Sequence, residues 1–321
     1  MKTFSQWIAA SVVLAAATTA HAQPAWPSQP IKLVVPFSAG STSDVTARAI
    51  AQRISGPLGQ PVVIENRPGA AAGIGMQVVA RSKPDGYTLV VGSVSSTVVP
   101  SILMKNQMFD LKRDFTPVGT IANTPLLLSV HPDSPISNIA DLVAAAKKAP
   151  QTLTYGNSAG LYQIAMEALN QNAGIDLLGV PFRGPPEAMT ELLGGRLTVN
   201  PDSFGAAASM LQAGRIKPLA VFSAKRTQAL PNVPTMVEQG YKDFVFNGWI
   251  GFLAPAGTPQ PIVQRLHQEI AKAVETEEVR ALYQRLGLEA IALSPQDYAA
   301  EMAKDLAQYQ RIAHEARIEK R

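Results

Sequence analysis

Apolar runs alternate with amphipathic stretches along most of this chain. The first run covers residues 31–37, small and hydroxylated residues follow as far as Asp44, and a helical apolar pattern continues to Leu58. This order predicts a strand, a tight turn and a helix. Such a turn directs unpaired backbone N–H groups and the positive end of a helix dipole at one point, which makes a generic anion site.

The order of strand, turn and helix recurs along the chain. Further strands are predicted at residues 61–66, 87–92, 125–130, 152–155, 178–182, 197–200, 216–224 and 245–255. Helices are predicted between the strands as far as residues 197–200, and another begins at Pro259 or Pro261 and runs through Thr276. A long helix, capped by Ser294, is predicted to end near Glu319. Continuous rather than alternating apolar runs are typical of parallel strands covered by helices, so the predicted fold class is α/β.

The predicted elements divide into two lobes. A chain of 321 residues is long enough for two domains, each with its own core. We place a crossover near Thr124 and a return of the chain after its middle third. This predicts a discontinuous lobe one, residues 23–124 and 228–321, and a lobe two of residues 125–227, with a cleft between them.

The N-terminal segment has the features of a secretory signal peptide. Lys2 gives a positive start, residues 7–17 are apolar, and Ala20-His21-Ala22 fits the small-x-small cleavage pattern. The apolar run is too short to span a bilayer. We therefore expect a signal peptide over residues 1–22, cleavage after Ala22 and a periplasmic location.

Composition and charge remove several classes of function. The chain has no cysteine, which excludes disulfides, thiol catalysis and cysteine-ligated metals. Beyond the predicted cleavage point its histidines, at 131, 267 and 314, are far apart in sequence, and no Asp-x-Asp-x-Asp-Gly loop occurs. The formal net charge is +4, but the basic residues are scattered and not interleaved with aromatic ones. We expect no metal, no cofactor and no nucleic-acid partner.

Ser158 raises an enzymatic alternative. Residues 156–160 match Gly-x-Ser-x-Gly between a strand and a helix, which is the context of a hydrolase nucleophile. Asp202 with His267 or His314 has the required chain order, but both histidines lie in helical patterns and no His-Gly-Gly sequence occurs upstream. A glycine-flanked serine at a helix N-terminus also suits carboxylate or phosphate binding, which we favour over a serine ester hydrolase.

Two motifs are specific in combination: Asn-Arg-Pro-Gly-Ala at residues 66–70 and Asp-Gly-Tyr-Thr at residues 85–88. Further stretches of the same kind occur at residues 30–37, 39–40, 73–75, 113–118, 182–184, 193–195 and 253–259. Over nearly the whole predicted mature chain, this set resembles the Bug (TctC-like) family, the extracytoplasmic solute receptors of tripartite tricarboxylate transporters.

The resemblance implies a type II periplasmic binding-protein fold, with two lobes, central mostly parallel sheets and a ligand cleft between them. It implies a receptor rather than an enzyme, which captures a small di-, tri- or aromatic carboxylate and delivers it to membrane subunits; we expect a monomer. In the family the loop after the first strand holds a carboxylate mainly through backbone groups and waters, opposed by loops of lobe two. Carried onto this chain, the ligand-binding residues are Phe37, Ser38, Ala39, Gly40, Ser41, Thr42, Asp44, Ser93, Ser95, Ser96, Ser158, Ala159, Gly160, Arg183, Gly184 and Asp202.

Three positions bear on which carboxylate binds. Arg183, at the end of a predicted strand, suits either a bidentate carboxylate contact or a structural salt bridge at the lobe boundary. The family usually has Gly-Gly where this chain has Gly40-Ser41, so we expect a less free backbone and an added hydroxyl. It usually has an aromatic residue where this chain has Pro201.

Overall fold

The computed structural model describes residues 26–242 and 244–320. The predicted signal peptide and its cleavage point lie outside the described residues. The strands of the described part are β1 Ile31–Val35, β2 Val62–Asn66, β3 Thr88–Ser93, β4 Phe115–Val130, β5 Thr154–Asn157, β6 Leu178–Pro181, β7 Asn200–Ser203, β8 Lys217–Val221 and β9 Asn247–Pro255. Its helices are α1 Thr42–Leu58, α2 Gly73–Ala80, α3 Val98–Leu103, α4 Ile139–Lys148, α5 Gly160–Ala173, α6 Pro185–Leu193, α7 Phe204–Gln212, α8 Gln260–Val274, α9 Glu277–Arg285 and α10 Pro295–Glu315.

The central sheet combines parallel and antiparallel pairings. In the described part of the chain, seven strands form it in the order β2-β1-β3-β9-β4-β7, and β8 also pairs with β4. β1 pairs parallel with β2 and β3, and β5 pairs parallel with β6. β9 and β4 introduce the antiparallel pairings. With helices between most of these strands, the α/β class is confirmed.

Strand β4 runs through both halves of the sheet. Residues 115–125 pair with β9, whereas residues 126–130 pair with β7 and β8. The separate strand predicted at residues 125–130 is therefore the second half of a 16-residue strand. The register with β9 shifts on both sides of Gly119 and Thr120, and such bulges bend a long strand without ending it.

Strand directions bring two sets of loops toward one interface. β3 and the first half of β4 run in the same direction, because each pairs antiparallel with β9. β7 runs against β4, and Tyr155 of β5 pairs parallel with Val199 just before β7. The carboxyl ends of β1 and β3 therefore face those of β5, β6 and β7 across the crossing strands. Ligand sites of open α/β sheets lie at such carboxyl ends.

Aromatic packing fixes α10 against the crossing strands. The Trp249 indole Nε1 donates to Asp305 Oδ2 at 2.8 Å, and the Tyr298 ring lies edge-on to Trp249 at 5.0 Å between centroids. The rings of Phe246 and Tyr309 stack at 5.4 Å. These contacts tie the C-terminal helix to β9 and to the segment that precedes it. None of the helices within residues 26–242 and 244–320 is long and apolar enough to cross a membrane.

Several elements differ from the prediction. β7 covers Asn200–Ser203 rather than 197–200, so Pro201 and Asp202 are strand residues. Helices α7 and α9 were not predicted, because α7 is rich in small residues and α9 has few apolar positions and a strongly charged sequence. Helix α10 is capped by the Ser294 hydroxyl as predicted but ends at Glu315 instead of near residue 319.

A strained turn follows β2. Ala70, Ala71 and Ala72 all have positive φ angles, of 47°, 49° and 73°, immediately before α2. The left-handed region costs a residue with a Cβ roughly 1–2 kcal/mol, because Cβ approaches the following carbonyl oxygen. The turn therefore holds three residues that glycine would suit better.

We predict that Ala71→Gly stabilises the protein by about 1 kcal/mol, because Ala71 is exposed and loses only its unfavourable Cβ contact. Urea unfolding measures the change. The matched control is Ala300→Gly on the exposed face of α10, which should destabilise by about 1 kcal/mol because glycine disfavours a regular helix. Equal destabilisation by both substitutions would contradict the strain assigned to this turn.

Candidate functional site

Asp44 organises the loop between β1 and α1. Its Oδ2 accepts hydrogen bonds from the Gly40 N–H at 2.9 Å and from Arg48 Nε at 3.0 Å. Its Oδ1 accepts one from Asn66 Nδ2 at 2.9 Å, and Arg48 Nη2 also lies 2.9 Å away. Asn66 Nδ2 also donates to the Phe37 carbonyl. The carboxylate thus joins both ends of the loop to β2.

The same contacts keep Asp44 charged. Asp44 is 2% exposed, and burial alone would raise its pKa. Hydrogen bonds from Arg48, the Gly40 N–H and Asn66 outweigh burial and hold the pKa of Asp44 below its ordinary value. A carboxylate with this many internal partners positions the loop rather than a ligand.

Ser41 begins helix α1 as its N-cap. Its Oγ accepts a hydrogen bond from the Asp44 N–H at 3.3 Å, and its φ of −65° is ordinary for serine. Gly40 carries the positive φ of the turn, +82°. The conformation that needs glycine belongs to Gly40, so serine at position 41 does not strain the turn.

Two backbone donors remain open at this helix end. The N–H groups of Thr42 and Ser43 have no acceptor among the described residues. The first N–H groups of a helix have no partner within it, and the helix dipole adds positive potential there. Ser38, Ala39, Gly40 and Thr42 are exposed, and Phe37 and Ser41 are partly exposed. The exposed end of α1 therefore offers donors suited to an anion, and we call this loop, residues 37–44, the seat.

The loop after β3 is held by its own hydroxyl groups. The Ser93 N–H donates to Ser96 Oγ at 2.9 Å, and the two hydroxyls lie 3.2 Å apart. Thr97 Oγ1 donates to the Ser93 carbonyl at 2.6 Å. Ser93 and Ser96 are buried, whereas Ser95 is exposed. Of the predicted ligand residues in this loop, Ser95 is the one whose side chain faces solvent.

The loop after β5 contains an unsatisfied hydroxyl. Ser158 Oγ is buried and has no hydrogen-bond partner among the described residues. Ala159 and Gly160 are partly exposed and lead directly into α5. Because α5 begins against α3, the structure brings this loop close to the loop after β3. Sequence reasoning identified both loops but not their contact.

Asp202 lies inside lobe two rather than at an exposed loop. It is 1% exposed, and its Oδ1 accepts hydrogen bonds from the Tyr162 hydroxyl at 3.2 Å and the Ser203 N–H at 2.7 Å. Burial raises the pKa of Asp202 to about 6, although the two hydrogen bonds oppose the rise. Tyr162 stands four residues after Ser158, so this pair holds the start of α5 against β7.

Arg183 and Gly184 lie between β6 and α6. The Arg183 N–H donates to Glu187 Oε2 at 2.9 Å, and Gly184 is the N-cap residue before Pro185. The Arg183 side chain is exposed and makes no salt bridge with any described residue. The structural salt bridge weighed for Arg183 is not formed, so its guanidinium is available to a carboxylate.

Three residues that support these loops were not identified from sequence. Arg48 and Asn66 hold Asp44, and Tyr162 holds Asp202. A detectable signal existed for Arg48, because an acid and a base four residues apart on a helix pair readily. The partners of Asn66 and Tyr162 lie 22 and 40 residues away, which only the fold reveals.

A cavity of about 780 Å³ lies away from these loops. Its walls come from Pro125, Phe204, residues 226–229, α9 and residues 287–291. No predicted ligand residue lines it. We assign the candidate site to the loops because their unpartnered donors suit an anion, whereas lining charges of the cavity such as Arg280 and Glu275 pair with each other.

We predict that Asp202→Asn is more stable than wild type and that this difference grows as the pH rises. The pKa of Asp202 is higher in the folded state than its ordinary 3.8, so the folded protein binds the extra proton and wild-type stability falls between about pH 4 and 6. The asparagine of the variant does not titrate, so the variant's free energy of unfolding does not fall in this range. The difference in free energy of unfolding, variant minus wild type, should grow by on the order of 3 kcal/mol from pH 4 to pH 7. Urea unfolding at several pH values tests this. Exposed Asp133→Asn is the control, and a constant difference for Asp202→Asn would refute the prediction.

Comparison with known proteins gives one consistent result. The sequence profile described as "Tripartite tricarboxylate transporter family receptor" (TctC) matches residues 46–318. The chain is 33% identical over 309 residues to a UPF0065 protein of Bordetella bronchiseptica, covering 96% of this chain and 92% of that one. Two solved structures from Rhodopseudomonas palustris are similar to this chain. Rpa4515 with adipate shares 34% identity with it and has a TM-score of 0.77, and the match covers 92% of this chain and 100% of Rpa4515. MatC with bound malate shares 28% identity and a TM-score of 0.71 over 89% and 99%.

These matches cover nearly all of the chain. They confirm the two-lobed, type II periplasmic binding-protein fold, and their family consists of solute-binding receptors. The chain belongs to the TctC family of tripartite tricarboxylate transporter receptors.

Proposed function

We propose that this protein is a periplasmic receptor that captures a small organic dicarboxylate and delivers it to membrane subunits of a tripartite transporter. The proposal rests on the N–H groups of Thr42 and Ser43, which have no acceptor among the described residues. The hydrogen bonds of the buried Asp44 hold them in place. We further propose the lobe limits given above, residues 23–124 with 228–321 and residues 125–227. The protein acts as a monomer, after removal of residues 1–22.

One carboxylate of the ligand binds the loop between β1 and α1. There it accepts hydrogen bonds from backbone donors at a helix N-terminus, which favour negative charge. The second carboxylate binds lobe two, where Arg183 offers an unpaired guanidinium and Ser158 an unpartnered hydroxyl. A ligand with a charge at each end therefore contacts both lobes, and a monocarboxylate contacts one.

Support for a dicarboxylate comes from two relatives in the family. The structures of Rpa4515 and MatC contain adipate and malate, which are both dicarboxylates. A ligand that contacts both lobes binds the closed state more tightly than the open one and shifts the population toward the closed state. We infer that the membrane subunits recognise this closed state. A closed, loaded receptor presents a different surface from an open, empty one.

A thermal-shift screen of the protein without its first 22 residues tests this function. Adipate, malate, citrate and benzoate are the probes, and 1,6-hexanediol is an uncharged control that matches the length of adipate. A dicarboxylate at one hundred times its Kd should raise the melting temperature by about 5 °C, with no effect of the diol. A folded protein that none of these carboxylates stabilises would overturn the proposal.

We predict that Gly40→Ala weakens dicarboxylate binding roughly tenfold, a loss of about 1.4 kcal/mol, because alanine disfavours a φ of +82° and shifts the seat. Gly59→Ala is a closely matched control. Gly59 has a φ of +71° at the other end of α1, and a Cβ there meets no neighbour within 4 Å, as at Gly40. Both variants should lose similar stability, and titration calorimetry should show weaker binding in Gly40→Ala alone. Equal affinities would refute the assignment of the seat.

The hydrolase alternative has a separate test. Ser158 Oγ has no hydrogen-bond partner in the described structure, so no histidine is placed to act as its base. We predict that wild type and Ser158→Ala both show no hydrolysis of 4-nitrophenyl esters above a heat-denatured control. Ser158→Ala should bind dicarboxylate at most about tenfold more weakly, through the loss of one hydrogen bond. Ester hydrolysis that disappears in Ser158→Ala would instead favour the enzyme.

A further inference from the structure

Gly160, the first residue of α5, is glycine for reasons of space. An ideal Cβ at this position would lie 2.6 Å from Val99 Cγ1 and 2.8 Å from Leu103 Cδ1, closer than real Cβ contacts. Gly160 is not among the residues with positive φ, so its backbone does not require glycine. The start of α5 therefore touches α3 at a separation that any larger residue would increase.

This contact joins two loops of the candidate site. Val99 and Leu103 belong to α3, which follows the loop of Ser93 and Ser95 after β3. Gly160 ends the loop of Ser158 after β5. The contact is dry, because Val99, Leu103 and the neighbouring Leu161 are 9%, 6% and 4% exposed.

We propose that this contact, the α3–α5 seam, forms when the lobes close and that Gly160 sets the tightness of closure. The inference rests on the proposed receptor function. Opening would expose the apolar faces of Val99, Leu103 and Leu161, so the seam adds a favourable term to the closed state. Gly160 is thus a positioning residue that acts through lobe closure and does not need to touch the ligand.

Substitutions that change side-chain size at the seam, followed by titration calorimetry, test the proposal. Gly160→Val should weaken dicarboxylate binding at least tenfold, because the closed state is pushed apart while the open state is unaffected. Val99→Ala removes the side-chain atom nearest to position 160, so the double variant should recover most of the lost affinity. Gly56→Ala in α1, where a Cβ meets no neighbour within 4 Å, is the control and should bind as wild type does. Urea unfolding of each variant confirms that it is folded.

Geometry also allows the seam to be locked. The ideal Cβ of Gly160 lies 4.0 Å from the Cβ of Val99, within the range of about 3.5–4.5 Å typical of disulfides. The chain has no cysteine, so Val99→Cys with Gly160→Cys creates a defined pair. We expect adipate or malate, whichever binds wild type, to accelerate cross-linking at least fivefold. Protein oxidised without ligand should bind little until it is reduced, and ligand present during oxidation should be retained.

The outcomes separate the two proposals. If wild type binds no carboxylate, the proposed function fails, whatever the cysteines do. If wild type binds but Gly160→Val has equal affinity, the seam does not control closure. A cross-linking rate that is the same with and without ligand, together with normal ligand exchange in the oxidised protein, shows a permanent contact and overturns the inference.

Discussion

Strand β4 is the constraint on which the rest of the structure depends. Its first half pairs with β9 and its second half with β7 and β8, so one uninterrupted strand belongs to both halves of the sheet. Antiparallel pairing with β4 fixes the direction of β7 directly and that of β3 through β9. The loops at their carboxyl ends consequently face each other without any side chain having to select that arrangement.

Most polar side chains of the candidate site hold loops in place. Asp44 bonds across the β1–α1 loop, Ser93 bonds to Ser96, and Asp202 bonds to Tyr162. Each group is buried and partnered, which makes its loop rigid before a ligand arrives. Among the described residues, the groups left open include the N–H groups of Thr42 and Ser43, the Ser95 and Ser158 hydroxyls and the Arg183 guanidinium. In the proposed function, the preorganised backbone donors bind one carboxylate of the ligand, and the chemistry at its other end determines selectivity.

Features of the fold that have a local sequence pattern were predicted, and features that depend on contacts between distant residues were not. The α/β order, the seat after β1 and the Ser294 cap follow from apolar runs and capping chemistry, which are local. Continuity through Thr124 was missed, because Asn123, Thr124 and Pro125 look like a turn when their pairing with residues 247–249 is unknown. Helix α9 was missed because it is strongly charged. The roles of Asp44 and Asp202 required partners such as Asn66 and Tyr162, which are distant in sequence.

Ser41 shows how a site can change chemically without changing shape. The turn needs one left-handed residue, and Gly40 supplies it, so the next position accepts any residue with an ordinary φ. Serine there caps α1 and strengthens the helix end that carries the open donors. A Gly-Gly pair would leave that cap to water or ligand. Serine therefore adds a hydroxyl beside the open donors, at a position whose φ does not require glycine.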